Sequence, residues 1–188
     1  MPLKWIFKNN RGFTLLEIAI VVTIISIMSL LVLPRISRFF DSKRNNFFLL
    51  TTVIAKTFDD SFLKDRTNFL MIHLYEPMSS DEMENEIFSR KNGVSVVNLD
   101  ENGKFVDSIN KLLRYRDFPD SFKIEEVVLS TGEKVGIGNV LIPFYSKGYS
   151  DNVILHILVN DEEKWSVRIF KLKKEAEIFP DYIDFSKS

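Results

Sequence analysis

The stretch RGFTLLE, residues 11–17, leads into the apolar run FTLLEIAIVVTIISIMSLLVL, residues 13–33. Sixteen of the 21 residues in this run are apolar, and none is Gly, Pro, Lys or Arg. At about 1.5 Å per residue, a helix of this length spans roughly 30 Å, which is the thickness of the hydrocarbon core of a bilayer. The sequence therefore predicts that residues 13–34 form a transmembrane helix.

The short segment before the run predicts its orientation. Residues 1–12 contain Lys4, Lys8 and Arg11 and no acidic residue. Lys and Arg are enriched on the cytoplasmic side of membrane helices. We therefore expect the N-terminus in the cytoplasm and the bulk of the chain on the other side of the membrane.

Two other interpretations explain the apolar run less well. A helix buried in a soluble core normally has a polar stripe, whereas this run has few polar residues: Thr14, Glu17, Thr23, Ser26 and Ser29. A cleaved secretory signal has a shorter apolar region followed by small residues, whereas this run ends in VLPR, residues 32–35. We therefore expect the segment to stay in the mature protein.

Glu17 is the only charged residue within the apolar run. A carboxylate at mid-bilayer costs about 2.5–3.5 kcal/mol on insertion scales. Each Leu, Ile, Val or Phe offsets this by about 0.3–0.6 kcal/mol, so insertion is still favoured, but the carboxylate needs a cation. Glu17 either extends to the membrane interface or pairs with a positive group that another chain brings to that depth.

Gly12 followed by FTLLE, residues 13–17, closely resembles the processing site of type IV prepilins and type II secretion pseudopilins. A short basic leader, the Phe, the Glu four residues later and a long apolar helix occur together here. The resemblance implies that a prepilin peptidase cuts between Gly12 and Phe13 and methylates Phe13. It also implies that Glu17 pairs with the terminal amine of another subunit, and that Pro34 kinks the helix.

The same resemblance implies a function. A minor pseudopilin or minor type IV pilin-like subunit is expected, assembled by repeated head-to-tail contacts into the filament of a type II secretion or type IV pilus system. The expected partners are prepilin peptidase, other pilin or pseudopilin subunits and the inner-membrane assembly platform. The expected location is the bacterial inner membrane, as a single-pass protein with a cytoplasmic N-terminus and a periplasmic C-terminal domain.

The C-terminal part of the chain is most similar, within these families, to the minor pseudopilin of the H type and to FimT-like minor pilins. The similarity rests on IPFYSKG, residues 142–148, on Val153–Val159 and on WSVRI, residues 165–169. The order of these segments along the chain is similar to the order of the C-terminal strands in that family.

Four regions are predicted along the chain. Residues 1–12 are a basic leader, residues 13–34 the transmembrane and assembly helix, and residues 35–66 an amphipathic helix whose apolar positions recur every three or four residues. Residues 67–188 form a β-rich periplasmic globular domain. The predicted fold is α+β and pilin-like, a long N-terminal helix packed on an antiparallel sheet or small β-sandwich.

Seven strands are predicted from runs of β-branched and aromatic residues between turn signals. They are Phe69–Glu76, Gly93–Leu99, Phe122–Ser130, Val140–Tyr145, Val153–Val159, Lys164–Lys171 and Ala176–Phe179.

Composition and charge argue against several other classes of protein. Lys and Arg number 25 against 26 acidic residues, so a nucleic-acid partner is not predicted. The absence of cysteine excludes a disulfide framework, a thiolate metal site and a cysteine nucleophile. The fragment Asp100-x-Asn102-Gly103 is too short for a calcium loop and is interpreted as a polar hairpin turn.

Enzymatic chemistry has little support in the sequence. The two histidines, His73 and His156, lie within apolar alternation and are interpreted as satisfied strand residues. Glu125 and Glu126 are adjacent acids that we expect to point in different directions. We therefore expect neither enzymatic activity nor a cofactor or metal. The alternative is a single-pass membrane-anchored binding or enzymatic domain that carries a similar N-terminus.

Overall fold

The structure, a computed structural model, describes residues 15–77 and 86–185, and it describes residues 29–41 by their backbone alone. The predicted leader, Gly12 and Phe13 lie outside the described residues. The chain divides into two compact units, one ending at Ser42 and the other spanning Lys43–Ser188.

The helix α1 extends over Leu15–Leu63 and contains no glycine. Its backbone is helical on both sides of Pro34, whose side chain is not among those described, and the kink there stays a prediction. Within the part of the chain that the structure describes, no helix is both long enough and apolar enough to cross a membrane.

The C-terminal end of α1 is fixed by a turn and by charge. Asp65 adopts a left-handed conformation, with φ of 45°, and the N–H of Arg66 donates to the carbonyl of Ser61 at 3.2 Å. Asp60 is buried and accepts from Lys64, Arg66 and Asn68. Burial alone would raise the pKa of the Asp60 carboxyl, but these donors lower it below its ordinary value. The charged group therefore ties the helix end to the first strand.

Eleven strands lie in the described residues. In chain order they are β1 (Asn68–His73), β2 (Gly93–Leu99), β3 (Phe105–Asp107), β4 (Arg116–Asp117), β5 (Phe122–Leu129), β6 (Lys134–Val135), β7 (Asn139–Tyr145), β8 (Tyr149–Ser150), β9 (Val153–Val159), β10 (Glu163–Phe170) and β11 (Lys173–Phe179). All seven predicted strands are present, and the predicted bounds of β2 and β9 are confirmed. The four that the sequence pattern did not predict, β3, β4, β6 and β8, are two or three residues long.

The strands form two antiparallel sheets. The first has the order β3-β2-β1-β7-β8, with β4 paired to β2, and the second has the order β11-β10-β9-β5-β6. One main core joins both sheets to the second half of α1, which contributes Phe47, Leu50, Val53 and Ile54. The predicted α+β class, a helix packed on antiparallel sheets, is confirmed.

Asn92 is the buried polar group that links the two sheets. Its side-chain amide donates to the carbonyls of Phe118 and Phe122, each at 3.1 Å, and its side-chain oxygen accepts from the N–H of Ile124. Its backbone N–H donates to the carbonyl of Leu74 at the end of β1. Since the residue is only 4% exposed, each of these bonds replaces one that water would otherwise make.

Gly93, the next residue, is in the tightest glycine environment described. A Cβ there would lie 2.5 Å from the carbonyl oxygen of Arg116 and 2.6 Å from the ring of Tyr115. The contact with backbone cannot be relieved by rotating a side chain. The pairing of β2 with β4 therefore requires a glycine at this position.

We expect the Gly93→Ala variant to lower the free energy of unfolding by about 1–3 kcal/mol, because an added methyl group forces the backbone of β4 to move. Gly136→Ala is the matched control, since its Cβ would meet the carbonyl oxygen of Glu125 at an ordinary 3.7 Å. Denaturant unfolding of the full-length variants in detergent measures both. Equal stability of the two variants would show that β4 does not constrain Gly93.

Candidate functional site

The first half of α1 is an exposed apolar surface. Every side chain from Leu15 to Met28 is exposed. Ile20, Val21 and Val22 point in different directions around the helix, yet each is about half exposed, at 51%, 48% and 56%. A helix that is apolar on all sides is normally covered by lipid or by other protein chains. This segment is therefore the candidate binding surface.

The polar side chains of this segment are two hydroxyls and one carboxylate. The hydroxyls of Thr23 and Ser26 donate to the carbonyls of Ala19 and Val22, each at 2.8 Å, so they are satisfied within the helix itself. Glu17 is exposed in the first turn of α1 and carries the only charge between Leu15 and Met28. A charge is costly to place in an apolar environment, more so than a hydroxyl that is already hydrogen-bonded.

The positions of the other predicted site residues relative to Glu17 are outside what the structure describes. Gly12 and Phe13 lie outside the described residues, and Pro34 is described by its backbone alone. Their assigned roles in cleavage, methylation and helix bending therefore stay predictions.

His73 is a neutral, fully buried histidine on β1. Its Nδ1 lies 2.5 Å from the side-chain oxygen of Asn139, and its Nε2 lies 2.9 Å from the hydroxyl of Ser95. The amide nitrogen of Asn139 donates to the carbonyl of Phe88, which leaves the Asn139 oxygen to accept from Nδ1. Burial lowers the pKa of His73 to about 4. The interpretation of His73 as a satisfied strand residue is confirmed.

His156 lies in a second polar cluster, on the face of the second sheet opposite the main core. Glu126 on β5, His156 on β9 and Ser166 on β10 are direct cross-strand neighbours, which places them in one row. The Nδ1 of His156 lies 2.6 Å from a carboxylate oxygen of Glu126, and Nε2 lies 2.8 Å from the carbonyl of Ile183. Both partners are hydrogen-bond acceptors, so each contact needs an N–H group on the ring nitrogen that faces it.

The carboxylate beside His156 is ionised. Burial alone would raise the pKa of the Glu126 carboxyl, but hydrogen bonds from His156 and Lys134 lower it below its ordinary value. The ring of Tyr182 stacks on His156 with centroids 4.2 Å apart, and its hydroxyl donates to Glu125 at 2.6 Å. Two carboxylates therefore surround the buried ring of His156 and the aromatic ring that covers it.

The cluster holds the C-terminal segment, residues 181–183, against the sheet. The hydroxyl of Ser166 donates to the carbonyl of Asp181 at 2.7 Å and accepts from the N–H of Ile183 at 3.1 Å. The Ser166 hydroxyl and both ring nitrogens of His156 are thus engaged by the chain itself. Their arrangement fastens the segment in place, and the interpretation of His156 as a satisfied strand histidine is confirmed.

The structure corrects the expectation that Glu125 and Glu126 point in different directions. The pairing of β5 with β9 shifts register between Ile124 and Glu126. The irregularity lets both carboxylates reach the stacked pair, Glu125 through Tyr182 and Glu126 through His156. A bulge inserts one extra residue into a strand, so alternation along the sequence does not predict the directions of its neighbours.

Among residues 15–77 and 86–185, no three His, Asp or Glu side chains are grouped so as to hold a metal ion. Asp100 accepts from the backbone N–H groups of Asn102 and Lys104, at 2.9 and 2.8 Å. Its carboxylate shapes the tight turn between β2 and β3, so the interpretation as a polar hairpin turn is confirmed.

Comparison with known proteins places one recognised motif on this surface. Residues 7–33 match the family model of the prokaryotic N-terminal methylation motif. The match includes Gly12, Phe13 and Glu17, so the prepilin-type motif predicted from the sequence is confirmed. No curated protein matches this chain.

Two solved structures are similar to this chain, and both are of the minor pseudopilin EpsH from the type 2 secretion system of Vibrio cholerae. One is 11% identical, with a TM-score of 0.43, and the match covers 75% of this chain and 94% of that chain. The other is 12% identical, with a TM-score of 0.47, and covers 78% of this chain and 96% of that chain.

We expect His73 to make the fold sensitive to acid. Its folded pKa of about 4 lies below the ordinary 6.5, so its contribution is complete above pH 6.5 and is lost as the pH falls towards 4. The difference corresponds to about 3 kcal/mol at about 1.4 kcal/mol per pH unit. The His73→Gln variant cannot take up this proton. Its free energy of unfolding, measured with denaturant at each pH, should therefore fall less steeply across this range.

The parent and the His73→Gln variant are compared by the slope of the free energy of unfolding against pH, because the substitution also changes stability at every pH. Parallel curves for the two proteins between pH 6.5 and 4 would contradict the assignment of His73 as the buried neutral group.

Proposed function

We propose that this protein is a minor pseudopilin or minor type IV pilin-like subunit. Prepilin peptidase cleaves it after Gly12 and methylates Phe13, and the mature chain joins a periplasmic filament of a type II secretion or type IV pilus system. The observation that carries this proposal is the methylation motif over residues 7–33, which includes the part of α1, from Leu15 to Met28, that is exposed on all sides.

The exposed segment supports a function in assembly. Before assembly, an apolar helix of this kind requires lipid around it, and after assembly it requires the helices of other subunits. We propose that residues 13–34 store the subunit in the inner membrane, with the N-terminus cytoplasmic and the C-terminal domain periplasmic. The three cations of residues 1–12 are consistent with this orientation.

Cleavage changes the charges at the end of this helix. Removal of residues 1–12 takes away Lys4, Lys8 and Arg11, so the formal net charge of the chain falls from −1 to −4. It also creates an α-amine on Phe13, which is positive near neutral pH and stays an amine after methylation. A cation thus arises four residues before Glu17, in the same apolar region.

We propose that the pairing of these two charges sets the axial position of each subunit. The terminal amine of one subunit meets the Glu17 carboxylate of its neighbour, and any other stagger leaves both charges unpaired in an apolar environment. Removing one partner from a buried charge pair costs about 3–5 kcal/mol. This penalty discriminates against wrong staggers. Repeated head-to-tail contacts that do not close into a ring extend into a helical filament.

The proposed processing is tested by co-expression with a prepilin peptidase. We expect the chain to lose its first 12 residues and to begin with methylated Phe13, as read by intact mass spectrometry. Gly12→Val should block cleavage, because its branched side chain keeps the peptidase from the backbone. Asn10→Val adds the same side chain two residues earlier and should still be cleaved.

The outcome also separates the two candidate functions. A chain that still begins at Met1, beside a peptidase that cleaves another prepilin in the same cells, would contradict the proposal. That result would favour a membrane-anchored binding or enzymatic domain.

The proposed charge pairing is tested by Glu17→Val. This variant should insert and be cleaved normally, since the substitution removes a charge from an apolar helix. Its incorporation into filaments, measured by immunoblotting of sheared filaments, should fall at least about tenfold, because the neighbour's amine loses its carboxylate. Thr23→Val is the control, since that hydroxyl is satisfied within its own helix. Incorporation of Glu17→Val at the level of the control would contradict the pairing.

A further inference from the structure

A groove in the second unit lies between α1 and the segment that carries the 3-10 turn Lys111–Leu113. Its volume is about 350 Å³, and Phe48, Leu49, Val53 and Leu112 form its apolar lining. Phe48 and Leu112 are 70% and 61% exposed. Large apolar side chains left open on both walls of one groove are typical of an interaction surface.

The groove follows the axis of the helix. Its α1 wall is formed by residues 45, 48, 49, 52, 53 and 56, whose recurrence every three or four positions places them on one face. From position 45 to position 56 there are eleven rises of about 1.5 Å, which give a length of about 16 Å, or about three helical turns. An elongated row of ridges along one helix is complementary to a second helix.

Both walls of the groove are basic. Residues 42–58 and residues 109–116 contain no acidic residue. Their exposed cations are Arg44, Lys56, Lys111, Arg114 and Arg116. Within the described ranges, none of these five forms an ion pair, whereas cations elsewhere on the domain do. The chain as a whole has a formal net charge of −1, so this positive charge is a local feature.

We propose that this groove binds an amphipathic helix of a partner protein, with an apolar stripe and acidic flanks. The stripe fills the space between Phe48 and Leu112, and its carboxylates lie against Lys56 and Arg116. Docking an apolar helix face into a groove is a recurrent recognition mode, and the opposed charges select the partner and its orientation. The site belongs to the second unit alone and does not depend on cleavage or on Glu17.

An anionic lipid surface is the other partner that a basic, apolar region attracts. A flat membrane does not fill a concave groove, whereas the side chains of a helix do. The shape therefore favours the helix, and the experiment includes lipid as a separate arm.

The test uses the full chain in nanodiscs of zwitterionic lipid and two synthetic helical peptides. Both peptides carry the same leucine stripe, but one has glutamates on its flanks and the other has lysines. Fluorescence anisotropy should show that the glutamate peptide binds at least about tenfold more tightly than the lysine peptide. The double variant Lys56→Glu, Arg116→Glu should reverse this preference.

A matched control carries the same change of charge elsewhere. Lys104 and Lys147 are exposed cations outside the groove, and the double variant Lys104→Glu, Lys147→Glu should bind both peptides as the parent does. Leu112→Ala removes only apolar contact and should weaken binding of the glutamate peptide about tenfold. This variant provides the test if the charge-reversed protein does not fold.

Three results would overturn the proposal. The first is equal binding of the two peptides to the parent. The second is an unchanged preference in the groove variants. The third is failure of the peptides to bind while vesicles containing phosphatidylglycerol do bind, with that binding lost in the charge-reversed variant, which would assign the surface to the membrane.

Discussion

An exposed apolar helix requires an apolar environment, and this requirement organises the N-terminal part of the protein. From Leu15 to Met28 every side chain is exposed, and Thr23 and Ser26 satisfy their hydroxyls on the helix itself. Glu17 alone adds a charge. Lipid covers apolar atoms but does not neutralise a carboxylate, whereas a second subunit with a terminal amine does both. The proposed processing creates that amine, so the storage form and the assembled form differ in how one charge is compensated.

The second unit packs two sheets against one helix. It does so without cysteine, and therefore without a disulfide or a thiolate metal ligand. Buried polar groups fix its connections. Asn92 joins the two sheets, Asp60 joins the helix end to β1, and the ring of His156 joins the C-terminal segment to the second sheet. Each is fully hydrogen-bonded through the atoms named, and leaving such a group unsatisfied costs about 1–3 kcal/mol or more. These groups therefore specify one arrangement of the apolar elements.

The parts of the structure that follow from local sequence patterns were predictable. The long strands have runs of β-branched and aromatic residues, so the first and last residues of β2 and β9 could be predicted correctly. Strands of two or three residues, such as β4 and β8, have no pattern of their own and exist because a neighbour pairs with them. The methylation motif was predictable because its residues are contiguous.

Features that depend on register were not predictable. The row formed by Glu126, His156 and Ser166 comes from three strands, and a register shift beside Glu125 turns two adjacent carboxylates to one cluster. The groove beside α1 likewise requires residues about sixty positions apart, Phe48 and Leu112, to face each other. The absence of acids in both segments was visible in the sequence, but only the fold places these segments together.

The central claim is that the terminal amine of one subunit lies beside Glu17 of another. A photo-reactive side chain in place of Ile18, irradiated in membranes that contain assembled filaments, tests it most directly, with cross-linked peptides identified by mass spectrometry. The account predicts cross-links to peptides that begin at the methylated N-terminal residue of a neighbouring subunit. Cross-links confined to lipid or to internal peptides, from filaments that contain this chain, would contradict it.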